Sequence, residues 1–145
     1  MAERTIKAPT DADVTAIARM LIHADEICVE VASRRLDGTR NDLGLIQQVL
    51  DSGTKGREAT YSLQALGMAL GKVYVNDNPG FDWWMVEDEY GRDPAIRYRK
   101  TALLAHPRTM LSKRVEDGET VDVRELYDQL RFRLAELIRD GYGAA

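Results

Sequence analysis

Cysteine and histidine are scarce: the 145 residues hold one cysteine, Cys28, and two histidines, His23 and His106. A single thiol excludes an internal disulfide and a cysteine-only metal site, so nothing calls for an oxidising compartment, and a reducing cytoplasm is the expected home. Long apolar runs are missing too. Nowhere do the roughly eighteen consecutive apolar residues of a membrane span occur, and the start, Met1-Ala2-Glu3-Arg4-Thr5-Ile6-Lys7, has no apolar stretch of the signal-peptide kind. Positive charge is in deficit. With 20 Lys and Arg against 24 Asp and Glu the net charge is -4, which argues against nucleic acid or an anionic membrane surface as partner.

Catalytic patterns are equally absent. The chain contains no G-x-S-x-G elbow, no H-E-x-x-H and no G-x-G-x-x-G. Its nearest approach is Gly67-Met68-Ala69-Leu70-Gly71-Lys72, which has the look of a phosphate loop. That segment is one residue short, carries Val73 where a hydroxyl would hold magnesium, and falls inside a helical pattern. Two glycines four apart on a helix point instead to close packing against a neighbour. Cys28 lies on an apolar helical stripe, where a thiol is a poor nucleophile, and His23, Glu26 and Glu30 on the solvated side of that helix find no second ligand cluster. No catalytic residue, metal ligand or cofactor is therefore expected, and the residues lean away from an enzyme by giving it no positive support.

What is present is an ordinary globular composition sized for one domain spanning residues 1–145. Thr10 and Asp13 announce a helix that carries Ile17, Leu21, Ala24, Cys28 and Val31 on one face to about Arg35, with Gly38 as its stop. Asn41 caps a second helix built on Leu43, Ile46, Val49 and Leu50. A third, from about Arg57 to Tyr74, is apolar around much of its circumference and so should be central. After the turn at Asn76-Asp77-Asn78-Pro79-Gly80 the pattern becomes strand-like, with strands expected at Phe81 to Val86, Ala95 to Arg99 and Ala102 to Ala105. His106-Pro107 opens a helix, and Asp122 with Glu125 caps a last one that ends at Gly141. The expected fold is α+β: a three-stranded antiparallel meander packed against helices, in the order ααα-βββ-αα.

The sharpest local feature is a segregation of charge. Arg92, Arg97, Arg99, Lys100, Arg108, Lys113 and Arg114 fall in a stretch where Asp93 is almost the only acid. The two-residue period of a strand puts Arg97 and Arg99 on one face and Ile96 and Tyr98 on the other. If helices cover Ile96, the arginines face outward beside Trp83 and Trp84, and Trp with Arg is the composition of interface hot spots. Ion pairing with Glu87, Asp88 and Glu89 on the adjacent strand is the structural alternative for the same residues.

From Leu66 to about Leu130 the order of residues resembles a bacterial family known as domain of unknown function 3806. The likeness rests on Leu66-Gly67 and Leu70-Gly71, Trp83 or Trp84 before an acidic strand end, and Asp88-Glu89-Tyr90-Gly91-Arg92-Asp93-Pro94. It continues through Pro107-Arg108-Thr109-Met110-Leu111-Ser112-Lys113-Arg114-Val115-Glu116-Asp117-Gly118-Glu119 and Val121-Asp122-Val123. The resemblance implies no activity and leaves the first two helices, about residues 10 to 50, to pack on the matched part.

Two functional readings follow. The first is a protein-interaction domain whose contact residues are Trp83, Trp84, Arg92, Arg97, Arg99, Arg108, Lys113 and Arg114. An immunity-type inhibitor, an acidic protein that occludes the basic cleft of a toxin, is one form of it. The second is a small-molecule or anion-binding protein, with weak hydrolase activity at most, using the cleft between the third helix and the Trp83-Trp84 strand. A homodimer pairing through the third strand or the last helix is compatible with both.

Overall fold

An uninterrupted apolar helix must be surrounded, and the one that runs from Thr60 to Asp77 is buried through most of its turns, from Leu63 to Tyr74. The computed structural model describes residues 4–141. Its elements are β1 (Thr5–Lys7), α1 (Asp11–Ala32), α2 (Asn41–Asp51), α3 (Thr60–Asp77), β2 (Phe81–Asp88), β3 (Gly91–Tyr98), β4 (Leu104–Ala105), a 3-10 turn (Pro107–Thr109), α4 (Met110–Glu116) and α5 (Val123–Arg139). No helix among the described residues is long and apolar enough to cross a membrane.

The class is α+β, but the sheet has four strands rather than three. All neighbours are antiparallel in the order β1-β2-β3-β4. The expected meander is its continuous part, and β1 adds an edge through Thr5↔Glu87, Ile6↔Val86 and Lys7↔Met85. The element order is therefore β-ααα-βββ-αα. Three residues are too few to display an alternation, and their extended form is supplied by a partner some eighty residues away, so local pattern cannot reveal them.

Helix boundaries follow the local chemistry closely at starts and less closely at ends. The Thr10 hydroxyl accepts from the Asp13 N–H (3.2 Å) while the Asp13 carboxylate accepts from the Thr10 N–H (2.8 Å), a reciprocal capping box. The helix stops at Ala32, before the expected Arg35, because Ser33 takes a left-handed turn (φ 55). Gly38 lies in the connection instead, where its N–H and that of Asp37 donate to the buried Asp42 carboxylate (2.8 and 2.9 Å). Burial raises the Asp42 pKa while these two donors lower it, with burial dominating. Asn41 does not cap α2, whose N-cap is Arg40 with no side-chain bond. At α5 the Asp122 carboxylate accepts from the Glu125 N–H (3.1 Å) as anticipated.

The main core gathers α1, α2, α3 and α5 with the inner face of the sheet, through Ile27, Ile46, Leu66, Leu70, Tyr74 and Ile96 among others. A satellite of Ile17, Met68 and Met85 sits beside it. Gly67 and Gly71 act sterically here. A Cβ on Gly67 would overlap the Pro107 carbonyl oxygen, and one on Gly71 would meet the Pro107 ring (Cγ 2.6 Å) and Trp83 Cη2 (2.8 Å). The two glycines thus form a flat seat on α3 for the Pro107 turn. The phosphate-loop look-alike is this seat.

A contrast between glycines tests it. Gly67→Ala should lower stability by about 2 to 4 kcal/mol, overriding the roughly 1 kcal/mol that alanine contributes in a free helix. Gly44→Ala in α2, where a Cβ meets only the end of the Arg124 side chain (3.2 Å), should be neutral or stabilising by up to about 1 kcal/mol. Urea melts of both variants give the comparison, and equal losses would show that the seat is not steric.

Candidate functional site

The cross-strand register assigns each side chain of the hairpin to a face. Phe81, Trp83 and Met85 lie opposite Tyr98, Ile96 and Pro94 and point toward the helices, where they meet the core clusters. Asp82, Trp84 and Val86 lie opposite Arg97, Ala95 and Asp93 on the other face. Ile6 of β1 joins that outer face beside Val86, and Leu104 of β4 joins it beside Arg97. Val86 and Ala95 are buried, at 4 % and 0 % exposure, yet belong to neither core cluster. Their cover is the half-buried Ile6, Trp84, Leu104 and Arg97 around them. The outer face is therefore a shallow apolar strip of its own.

Arg97 is fixed over this strip. Its guanidinium carbon stands 4.5 Å from the centre of the Trp84 ring, within cation–π range. Nε donates to the Thr101 carbonyl (2.6 Å) and Nη2 to the Lys100 carbonyl (3.0 Å), so the side chain is anchored by the loop that follows β3. Among the described residues no carboxylate holds it, and Glu87 pairs instead with Lys7 and Arg92.

The eight residues singled out from the sequence do not form one surface. Trp83 is an inner-face residue wedged at Gly71 and Pro107, so the cleft considered as a ligand site between α3 and the tryptophan strand is filled by Trp83 itself. Arg92 bridges Asp13 of α1 and Glu87 of β2. Arg108 pairs with Asp93, and the Arg114 side chain folds back along its own helix, Nη1 donating to the Met110 carbonyl (2.9 Å). Lys113 is exposed on α4. Arg99 departs from the expected face: β3 ends at Tyr98, and the chain turns left-handed at Arg99 (φ 47). Its guanidinium then stands 5.1 Å from the Tyr98 ring centre, away from Arg97. Trp84 and Arg97 are the pair that remains together on an open face.

Electrostatics explain why the others are held. Hydrogen bonds from Arg92 and from the Thr10 N–H keep the Asp13 carboxyl well below the ordinary carboxylate range. At Asp93 burial pushes the pKa up, but the neighbouring His106 (3.8 Å) and the hydrogen bond from Arg108 outweigh it and leave the carboxyl below its ordinary value. Burial drives the Cys28 thiol up to about 11, so it is protonated at neutral pH. His23 Nε2 meets the Ser62 hydroxyl (3.3 Å) and its ring lies against Tyr61.

Residues 42–127 match the family model described as Domain of unknown function (DUF3806), and the chain belongs to that family. The match begins at Asp42, so it takes in α2 as well as the stretch from Leu66 that carries the resemblance. A crystal structure from Bacteroides thetaiotaomicron is similar in fold, with a TM-score of 0.80 at 19% sequence identity over 88% of this chain and 47% of that one. The chain thus spans about half the length of that protein. No curated protein sequence matches.

Two measurements test this description. Cys28 should react with Ellman's reagent only as fast as the protein unfolds; fast labelling of the native protein would contradict its burial. Folding depresses the Asp13 pKa, so the stability it contributes is complete above the unfolded value near 3.9 and is lost as pH falls through the folded value. The gap in melting temperature between wild type and Asp13→Asn should stay constant from about pH 7 to about pH 5 and narrow below about pH 4. A gap that widens in acid would overturn the assignment.

Proposed function

We propose that the chain is a non-enzymatic protein-interaction domain that contacts its partner through the outer face of the sheet, centred on Trp84 and Arg97. The observation that carries this reading is an apolar strip on a sheet face that belongs to neither core cluster and holds an immobilised Trp-Arg pair at its middle. Side chains held before binding lose little entropy on contact, and Trp and Arg are the residues most often found at the energetic centre of interfaces. The rim carries both signs, with Asp82 and Asp88 beside the strip and Asp93 and Arg108 paired at one end. A partner that docks here needs a flat apolar patch with mixed charges around it. Inhibition of a toxin is one activity of that kind and makes the same demand on the face.

A photoreactive amino acid placed at position 82, exposed beside Arg97, tests the reading in the native cell. It should cross-link one heterologous protein, and that protein, once purified, should bind the domain directly. Trp84→Thr and Arg97→Glu should each weaken the complex by about tenfold or more, equivalent to about 1.4 kcal/mol. Their melting temperatures serve as the control. Adducts only between copies of this chain, or affinity unchanged in both variants, would overturn the proposal.

A further inference from the structure

A concave site lies on the opposite, helix-covered face of the sheet, beside the Phe81–Tyr98 pair, where α5 meets the end of α3. On α5, Asp128, Arg131, Phe132, Ala135 and Ile138 recur three or four residues apart and line one side of a groove of about 680 Å³. Tyr74, Asn78, Phe81 and Tyr98 form the opposite wall. This volume falls in the range of about 300 to 1,000 Å³ usual for small-molecule sites.

Much of the lining is aromatic. Tyr74 and Phe81 meet edge to face with ring centres 5.0 Å apart, Phe81 and Tyr98 follow at 5.2 Å, and Phe132 stands on the rim at 69 % exposure. Core packing does not account for Phe132, a large apolar side chain held open to solvent beside three other rings.

The polar groups in the groove are unevenly satisfied. The Tyr127 hydroxyl, just behind it, is fully used, donating to Asp77 Oδ2 (2.7 Å) and accepting from Asn78 Nδ2 (3.1 Å). Tyr74 is 1 % exposed, and among the described residues its hydroxyl makes no hydrogen bond. Among the described residues no sealed side-chain oxygen or nitrogen lacks a partner, and Tyr74 is one of the residues that line the groove. Burial lifts its pKa to about 12, which keeps it a donor at neutral pH. Arg131 Nε donates to Asn78 Oδ1 (3.0 Å), which orients the guanidinium and leaves its two terminal nitrogens without a partner among the described residues. The Asp128 carboxylate on the same wall is engaged by Arg40 (2.9 Å). Arg139 has Asp140 at 3.9 Å, both well exposed.

We propose that this groove binds a small aromatic carboxylic acid, its ring against Phe81, Tyr98 and Phe132 and its carboxylate on the Arg131 fork and the Tyr74 hydroxyl. Aromatic walls favour an aromatic guest through edge and offset contacts. A planar guanidinium that offers one N–H from each of its two terminal NH2 groups matches a carboxylate in a bidentate pair. One free cation fork and one neutral donor, beside an aspartate, suit a single negative charge better than a phosphate dianion. The site shares no residue with the Trp84-Arg97 face and stands or falls independently of it.

Calorimetry and amide NMR on the purified chain test the assignment with indole-3-acetate and phenylacetate as probes. Saturable binding at one site is expected, with the largest shifts at Tyr74, Tyr98 and Phe132. Indole-3-acetamide, which keeps the ring and loses the charge, should bind about tenfold more weakly, and Arg131→Gln should weaken the acid by a similar factor. Cyclohexylacetate and inorganic phosphate should bind more weakly than phenylacetate. Tyr74→Phe should cost several-fold in affinity, and Phe132→Ser, a change on an exposed side chain, gives a second readout free of any folding defect. Absence of shifts at millimolar acid, equal binding of acid and amide, or shifts that map elsewhere would overturn the proposal.

Discussion

The contact of Pro107 with the side of α3 positions everything that follows the sheet. A helix normally keeps other backbones at the distance of its side chains, about 8 to 10 Å between axes. Gly67 and Gly71 remove that spacing locally, and the chain leaving β4 settles against bare helix. From there α4 runs beside α3, and its last turn is fastened by Arg57, which donates twice to the Glu116 carbonyl (3.1 and 2.8 Å), and by Thr60, whose hydroxyl reaches Glu116 Oε1 (3.0 Å). The chain then returns across α2, where Gln47 donates to the Val121 carbonyl and accepts from the Val123 N–H (3.0 and 2.7 Å). That aims α5 at the far end of α3, where Tyr127 binds Asp77. The groove beside α5 is thus a distant result of two missing side chains.

Features decided within a few residues were legible in the sequence. Thr10 with Asp13 and Asp122 with Glu125 begin helices because the donors they satisfy lie three residues on. The spacing of Gly67 and Gly71 and the inward direction of Ile96 followed from helix and strand periods. Features decided by distant partners were not. β1 exists through its pairing with β2, and Ser33 ends α1 without a glycine. Arg97 and Arg99 separate because one left-handed residue suspends the strand period. Trp83 and Trp84 are neighbours in sequence and look alike there, but only one can face the glycine seat.

The basic stretch from Arg92 to Arg114 shows the limit of counting charge along a chain. Arg92 finds Asp13 in the first turn of α1, and Arg108, in the turn after β4, finds Asp93 of β3. Arg97 and Arg99 spend their planes on Trp84 and Tyr98. The linear cluster becomes a set of local clamps rather than a single positive field, and the groove's free guanidinium, Arg131, comes from a part of the chain where acids and bases alternate.

The lengths of the two outer strands carry a consequence of their own. β1 spans three residues and β4 two, at opposite margins of a sheet whose inner strands span eight. Strands that short leave much of their neighbours uncovered: β1 pairs only with Met85, Val86 and Glu87 of β2, and β4 only with Ile96 and Arg97 of β3, so 81–84 of β2 and 91–95 of β3 face no strand on that side among the described residues. An added strand therefore has two stretches of main chain to pair with, and selectivity at the sheet's margins can draw on main-chain complementarity as well as on shape and charge.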